Sequence, residues 1–292
     1  MKSFLPIFAL LAFFVAQLPA AAEEPLVKPN DVIALIGGEE MLLLSEMGMV
    51  ESYLHCGLPG HHLKVRSLAW EGDTVFEQAR MLNYPPLERQ LDELGATVVI
   101  LQFGRMESGA GPEGLPAFIT AYEALIRRLN PESKRRVALL APGSSVQRDQ
   151  QSVRKYREAI AALSHGKPGV RYIPNSLEEK GLRERKEVSP SRFFIAPFEI
   201  AKSLAASERL GDGPDAAFLA LVSAKNRLWD RYRRPQNWAF LAGDRTTQAS
   251  SRDHLDQTKR WFPEEMKEFV PLIEAKDREI WDLAAKFAPR KN

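Results

Sequence analysis

Asp31-Val32-Ile33-Ala34-Leu35-Ile36-Gly37 is a short apolar run that closes on Gly37-Gly38, and Glu40–Leu54 after it has helical length and composition. A buried strand feeding a helix is the direct reading. The order then repeats along the chain. Leu63–Trp70 reads as a strand, Pro86–Leu94 as a helix, Thr97–Gln102 as a buried strand and Leu115–Leu129 as a helix. Val137–Ala141, Gln150–Leu163 and Gly169–Ile173 continue as strand, helix and strand. Strands alternating with helices predict a parallel sheet covered on both faces. Ligands of such sheets bind at the carboxyl ends of the strands, so function is sought in the loops starting at Gly37, Glu71, Phe103 and Pro142.

Both ends of the chain depart from this rhythm. Residues 1–22 carry Lys2, an apolar run from Phe4 to Leu18 and the small residues Ala20-Ala21-Ala22. The run holds about 15 residues and contains Pro6, whereas a membrane span needs about 20. It reads as a cleavable secretory signal, which predicts an exported, periplasmic or secreted product with no membrane span in the mature chain. Removing it takes away one Lys and no acid, so the formal charge falls from +2 to +1, which argues against nucleic acid as a partner. Cys56 is the only cysteine, so no internal disulfide can hold the fold.

After the fifth strand, 175–186 is charged and poor in landmarks, and Pro190–Ala206 resumes a helical rhythm. A further helix is expected over Asp215–Tyr232, its Leu228, Trp229 and Tyr232 packing on the domain and its arginines in water. Arg233–Trp261 reads as irregular. Pro263–Lys286 reads as an amphipathic helix bent at Pro271, with Met266, Phe269, Val270, Ile273, Ile280 and Leu283 as its apolar stripe. That stripe faces the core domain or, alternatively, a protein partner. The division expected is a signal (1–22), a domain (23–210) and a helical or irregular carboxyl-terminal extension (211–292).

Three strand-end loops and one later segment carry a resemblance. Ile36-Gly37-Gly38-Glu39, Leu68-Ala69-Trp70-Glu71-Gly72-Asp73-Thr74, Phe103-Gly104-Arg105-Met106-Glu107-Ser108 and Val188-Ser189-Pro190-Ser191 stand in the order and strand context of the four sequence blocks of SGNH/GDSL hydrolases. The chain resembles that family over about residues 30–210. Lys225-Asn226, Tyr232–Trp238 and Trp261–Met266 resemble the carboxyl-terminal extension of exported, planctomycete-type members. The resemblance implies a flavodoxin-like three-layer α/β/α fold with a five-stranded parallel sheet, an ester-hydrolase ancestry and no cofactor.

It also implies a serine nucleophile, a histidine base held by an aspartate, and an oxyanion hole of amide and asparagine donors. The aligned positions read otherwise: Glu39 for the serine, Met106 for the asparagine, Arg185 for the aspartate and Val188 for the histidine, with Gly72 alone keeping its part. Met106 has no donor, and losing one oxyanion donor costs on the order of a hundredfold in rate. Val188 cannot take a proton. No catalytic residue and no metal ligand is therefore assigned. The leading reading is a pseudo-enzyme whose cleft binds a small molecule or glycan through Gly38, Glu39, Gly72, Asp73, Thr74, Gly104, Arg105, Met106 and Glu107. Carboxylates and an arginine can pair with sugar hydroxyls, and Trp70, Trp238 or Phe103 can stack on a sugar face. Three alternatives stay open: a cation held by Glu39, Asp73 and Glu107; an active carbohydrate or acetyl esterase with a displaced nucleophile (Ser108, Ser144, Ser145) and base (His165, His254); and a partner-binding scaffold.

Overall fold

The computed structural model describes residues 24–143, 150–174, 197–207, 210 and 213–288. The expected signal, Ser144, Ser145, Arg185 and the Val188–Ser191 block lie outside them. Five strands, β1 (Val32–Gly37), β2 (Lys64–Ser67), β3 (Val98–Gln102), β4 (Arg136–Leu140) and β5 (Val170–Ile173), form one parallel sheet in the order β2-β1-β3-β4-β5. This is the flavodoxin-like order.

The three-layer arrangement follows from side-chain alternation along each strand. Ile33, Leu35, Ile100 and Leu140 join one apolar cluster with Leu44 and Leu54. Ala34, Ile36, Leu101 and Leu139 join another with Leu91, Phe118 and Tyr156. The first face is covered by α1 (Glu39–Met47), α2 (Met49–Gly57) and α6 (Pro197–Ala205), and the second by α3 (Leu87–Leu94), α4 (Leu115–Leu129) and α5 (Gln150–Ser164).

The helix expected over Glu40–Leu54 is in fact two. Gly48 adopts φ +63°, a left-handed turn that side chains disfavour, and a β-carbon there would meet Val222 Cγ1 at 2.8 Å. The break lets a later helix close in. The strand expected over Leu63–Trp70 ends at Ser67, although Leu68 and Trp70 still donate to Leu35 and Gly37 carbonyls of β1. Of the expected Pro190–Ala206 helix, residues 197–205 are observed and 190–196 lie outside the described residues.

The carboxyl-terminal segment contains α7 (Ala216–Arg233), α8 (Trp238–Leu241), α9 (Trp261–Lys267) and α10 (Phe269–Ala284). Asp215 caps α7 by accepting from the Phe218 amide at 2.8 Å. The bend expected at Pro271 is displaced to Glu268, between α9 and α10. Pro271 falls in the first turn of α10, where a missing amide costs no helical bond. Ile273, Ile280 and Ala284 of α10 are buried, leaving Val270 and Leu272 of that helix exposed.

These helices seal the open edge of β2. Along a parallel edge every second carbonyl faces outward, a template for unwanted pairing. Trp281 Nε1 donates to Leu63 O at 2.9 Å, Lys225 Nζ to Val65 O at 2.9 Å and Trp229 Nε1 to Ser67 O at 2.7 Å. Lys225, fully buried, also contacts the Glu51 carboxylate of α2 at 2.7–2.9 Å. Arg66 and Asp277, both buried, form a two-pronged pair beside it. Among the described residues no helix is long and apolar enough to cross a membrane.

Candidate functional site

The carboxyl ends of β1 and β3 enclose a small cleft. Its walls are Gly38, Glu39, Glu40, Asp73, Gln102, Phe103, Gly104, Arg105, Met106 and Glu107, and its volume is about 130 Å3. Seven of the nine expected ligand residues meet there. Gly38 is required because Asp73 O would lie 2.8 Å from a β-carbon at that position, so the first and second loops touch through backbone. Gly72 and Thr74 are not among the walls. Gly72 is exposed in a turn, and Thr74 Oγ1 accepts the Glu77 amide at 3.2 Å, a local turn bond.

The buried carboxylates are each engaged by donors of the protein. Glu107 Oε1 accepts the Val75 amide and Oε2 the Gly104 amide, both at 2.8 Å. One side chain thereby ties the second loop to the third. Asp73 takes both prongs of Arg80 at 2.7 and 2.8 Å. Burial raises the Asp73 carboxyl above its ordinary value, against the opposing pull of Arg80. Glu40 Oε1 accepts from Arg105 Nη1 at 3.2 Å, and Oε2 accepts the Gly143 amide at 3.3 Å. Gln102 also lines the cleft, its buried Oε1 without a hydrogen-bond partner among the described residues. Its place follows from the strand end, since Gln102 closes β3.

The alternative of a cation on Glu39, Asp73 and Glu107 does not fit this geometry. Asp73 and Glu107 already face a guanidinium and two amides, and no group of three or more metal-binding side chains exists among the described residues. Glu39 is the exposed carboxylate of the cleft.

Of the displaced catalytic groups, Ser144 and Ser145 lie outside the described residues, and Ser108, His165 and His254 are not assembled. Ser108 is 5 % exposed and donates from Oγ to Arg105 O at 2.8 Å, a turn bond. The chain has five histidines, all within the described residues, and none is a wall of the cleft. His55 is buried against Glu51, at 3.7 Å. His254 has a side chain 80 % exposed, beside Asp253, and His165 is exposed just beyond α5.

Of the expected stacking aromatics, Phe103 is buried and packs edge-on to Tyr122 at 5.7 Å. Trp70 is occupied on the outside of the cleft, with Arg80 and Arg234 each 4.8 Å from its ring. Trp238 packs on Tyr84 at 4.5 Å. The arginines of α7 and of its carboxyl-terminal cap divide accordingly. Arg227 and Arg231 face water as expected, whereas Arg233 and Arg234 are half-buried, stacked on Tyr84 and Trp70. Glu71 closes on Arg234.

No protein-family profile matches the chain, and no curated protein does. Among solved structures, the chain is similar to a gut microbial diltiazem-metabolizing enzyme with TM-score 0.45 and 13 % identity, covering 63 % of this chain and 48 % of that one. It thus spans about half the length of that enzyme. A lipase from a goat rumen metagenome has TM-score 0.43 and 15 % identity, over 62 % of this chain and 100 % of that one. A family 3 carbohydrate esterase of Clostridium thermocellum has TM-score 0.39 and 13 % identity, over 59 % and 92 % respectively. The likeness is one of architecture, and the three-layer α/β/α arrangement of this chain stands on its own sheet order and two apolar faces.

Proposed function

We propose that the chain is an exported SGNH-like protein that has lost ester hydrolysis and binds a hydroxyl-rich ligand, a glycan or acylated sugar, at the strand-end cleft. In this reading residues 23–210 are the ligand-bearing domain, and 211–292 are an extension braced on its β2 edge. The observation that carries it is the content of the cleft: Glu39 and Met106, which the resemblance aligns with the nucleophile and an oxyanion donor, are among its walls, and none of the five histidines is. A Ser–His pair needs approach to about 3 Å.

The ligand-facing chemistry is then that of Glu39, Arg105 and Met106. Glu39 is an acceptor open to solvent. Arg105 is held from behind by Glu40 and its side chain keeps 28 % of its surface exposed. A carboxylate and a guanidinium together can bridge neighbouring sugar hydroxyls, and the Met106 side chain, 55 % exposed, offers an apolar face to a ring or an acyl group.

The test has two arms. The mature chain is titrated with acetylated and plain oligosaccharides, and it is assayed with an aryl acetate. Saturable binding that weakens in Glu39→Ala and Arg105→Met, with no turnover above buffer, is the expected result. Turnover that falls in Ser108→Ala or His254→Ala would establish the esterase alternative, and absence of binding by every sugar would remove the ligand assignment.

A further inference from the structure

A cavity larger than the strand-end cleft lies away from the strand ends. It holds about 940 Å3 and runs alongside β2, beneath the carboxyl-terminal segment. Alternation puts Lys64, Arg66 and Leu68 on one side of the strand, and all three line it. Opposite them stand Leu94 of α3, Trp229 of α7 and Ile273 of α10. The volume is in the range of small-molecule sites, about 300–1,000 Å3, with the mostly apolar walls those sites have.

Its charges do not cancel. Arg66 is closed on Asp277, Lys267 on Glu264 and Glu93 on Arg89. Lys64, Arg233 and Arg260 remain, against Glu274. Arg233 lies over the Tyr84 ring at 4.8 Å, with Nε and Nη2 buried and, among the described residues, without hydrogen-bond partners. Asp73, whose charge acts on it, is held by Arg80 on both oxygens. Among the described residues Arg260 donates only to the neutral carbonyls of Phe240 and Leu241. The Lys64 ammonium has no hydrogen bond or ion pair among the described residues. An apolar chamber with a net surplus of cations favours an anion on an apolar body.

We propose that this cavity is a second binding site, independent of the strand-end cleft, for a small amphiphilic anion: a carboxylate carried on a medium-length alkyl body. The alkyl part lies along Leu68, Trp229 and Ile273. The head is met by the Lys64 ammonium, which is long and jointed enough to follow it.

The full chain is titrated with decanoate and, as its neutral analogue, 1-decanol, read by calorimetry and by tryptophan fluorescence, since Trp229 and Trp238 both line the cavity. Decanoate is expected to bind at one equivalent and more tightly than decanol. Lys64→Gln is expected to weaken decanoate about three- to tenfold and leave decanol unchanged. Val270 is 40 % exposed and lines the cavity, so Val270→Trp can fill it without opening the core. That variant is expected to lose both ligands at an unchanged melting temperature. Equal affinity for decanol and decanoate, or an unaltered Lys64→Gln, would overturn anion recognition. Binding that survives Val270→Trp would overturn the site.

Discussion

The strand-end cleft and the seam along β2 both bury carboxylates, and the two regions use them differently. In the cleft, Glu107 and Glu40 accept backbone amides and Asp73 accepts Arg80, so three acids hold loops together around a space of about 130 Å3. In the seam, Glu51 and Asp277 face Lys225 and Arg66, so ion pairs hold two ends of the chain together beside about 940 Å3 of cavity. The contrast teaches that acids gathered at the expected catalytic end can be structural, while the larger unfilled volume lies where the extension meets the sheet.

The sharpest way to break the comparison is at the seam. Lys225→Met leaves the Glu51 charge buried, with only His55 near it, and removes the donor on Val65 O. Loss of one partner from a buried pair costs about 3–5 kcal/mol, and the urea midpoint should fall accordingly. The double variant Glu51→Leu/Lys225→Met removes both charges and should recover most of that loss. If the single variant is as stable as the parent, the seam does not hold the extension in place.

Acid provides a second probe of the same pair. Burial alone would push the Glu51 carboxyl up, but Lys225 and then His55 hold it down at about 2, below the ordinary 4.5. The unfolded chain therefore takes up this proton near pH 4.5 and the folded chain only near pH 2. The contribution of Glu51 is fully present above about pH 4.5 and is lost as pH falls towards 2, by roughly 3 kcal/mol. Lys225→Met should flatten that part of the stability profile, and an unchanged acid limb would show that other carboxylates dominate it.

Much of the sheet is legible in the sequence because β1, β3 and β4 are buried on both faces and therefore read as unbroken apolar runs between helical stretches. Gly48 was hidden because a glycine within a helical pattern signals neither a left-handed turn nor the approach of Val222. The bend at Glu268 was misplaced because proline tells where an amide is absent, and only the helix start tells whether that amide was needed. The cleft was half legible. Glu39, Arg105 and Met106 follow from their places after β1 and β3, whereas the bond that commits Glu107 to the second loop joins residues far apart in the chain, Glu107 with Val75. Asp277 was unreadable for the same reason: an acid within an apolar stripe has meaning only beside Arg66.

Within the cleft the largest effect should come from Glu107→Gln. The amide keeps one acceptor oxygen, so either the Val75 or the Gly104 amide loses its partner and faces an N–H group instead. A buried donor left unsatisfied costs about 1–3 kcal/mol. The loss should appear in urea denaturation, together with faster amide hydrogen exchange at both positions. A neutral outcome would mean that the two loops are held by other contacts and that the cleft shape is not set by this carboxylate.

The smallest change in stability belongs to Glu39→Ala, and its smallness is what makes it informative. Glu39 opens α1, where an acid is favoured by the helix dipole, but it is exposed, and among the described residues its side chain makes no hydrogen bond or ion pair. An exposed substitution of this kind stays within about 0.5 kcal/mol. If the acids of the cleft divide into structural members and one ligand-facing member, Glu39→Ala must leave the urea midpoint alone while weakening sugar binding, and Glu107→Gln must do the reverse in order of size. Should Glu39→Ala leave affinity untouched as well, the carboxylate at the nucleophile position serves neither the fold nor a ligand, and the contrast between the two regions reduces to the seam alone.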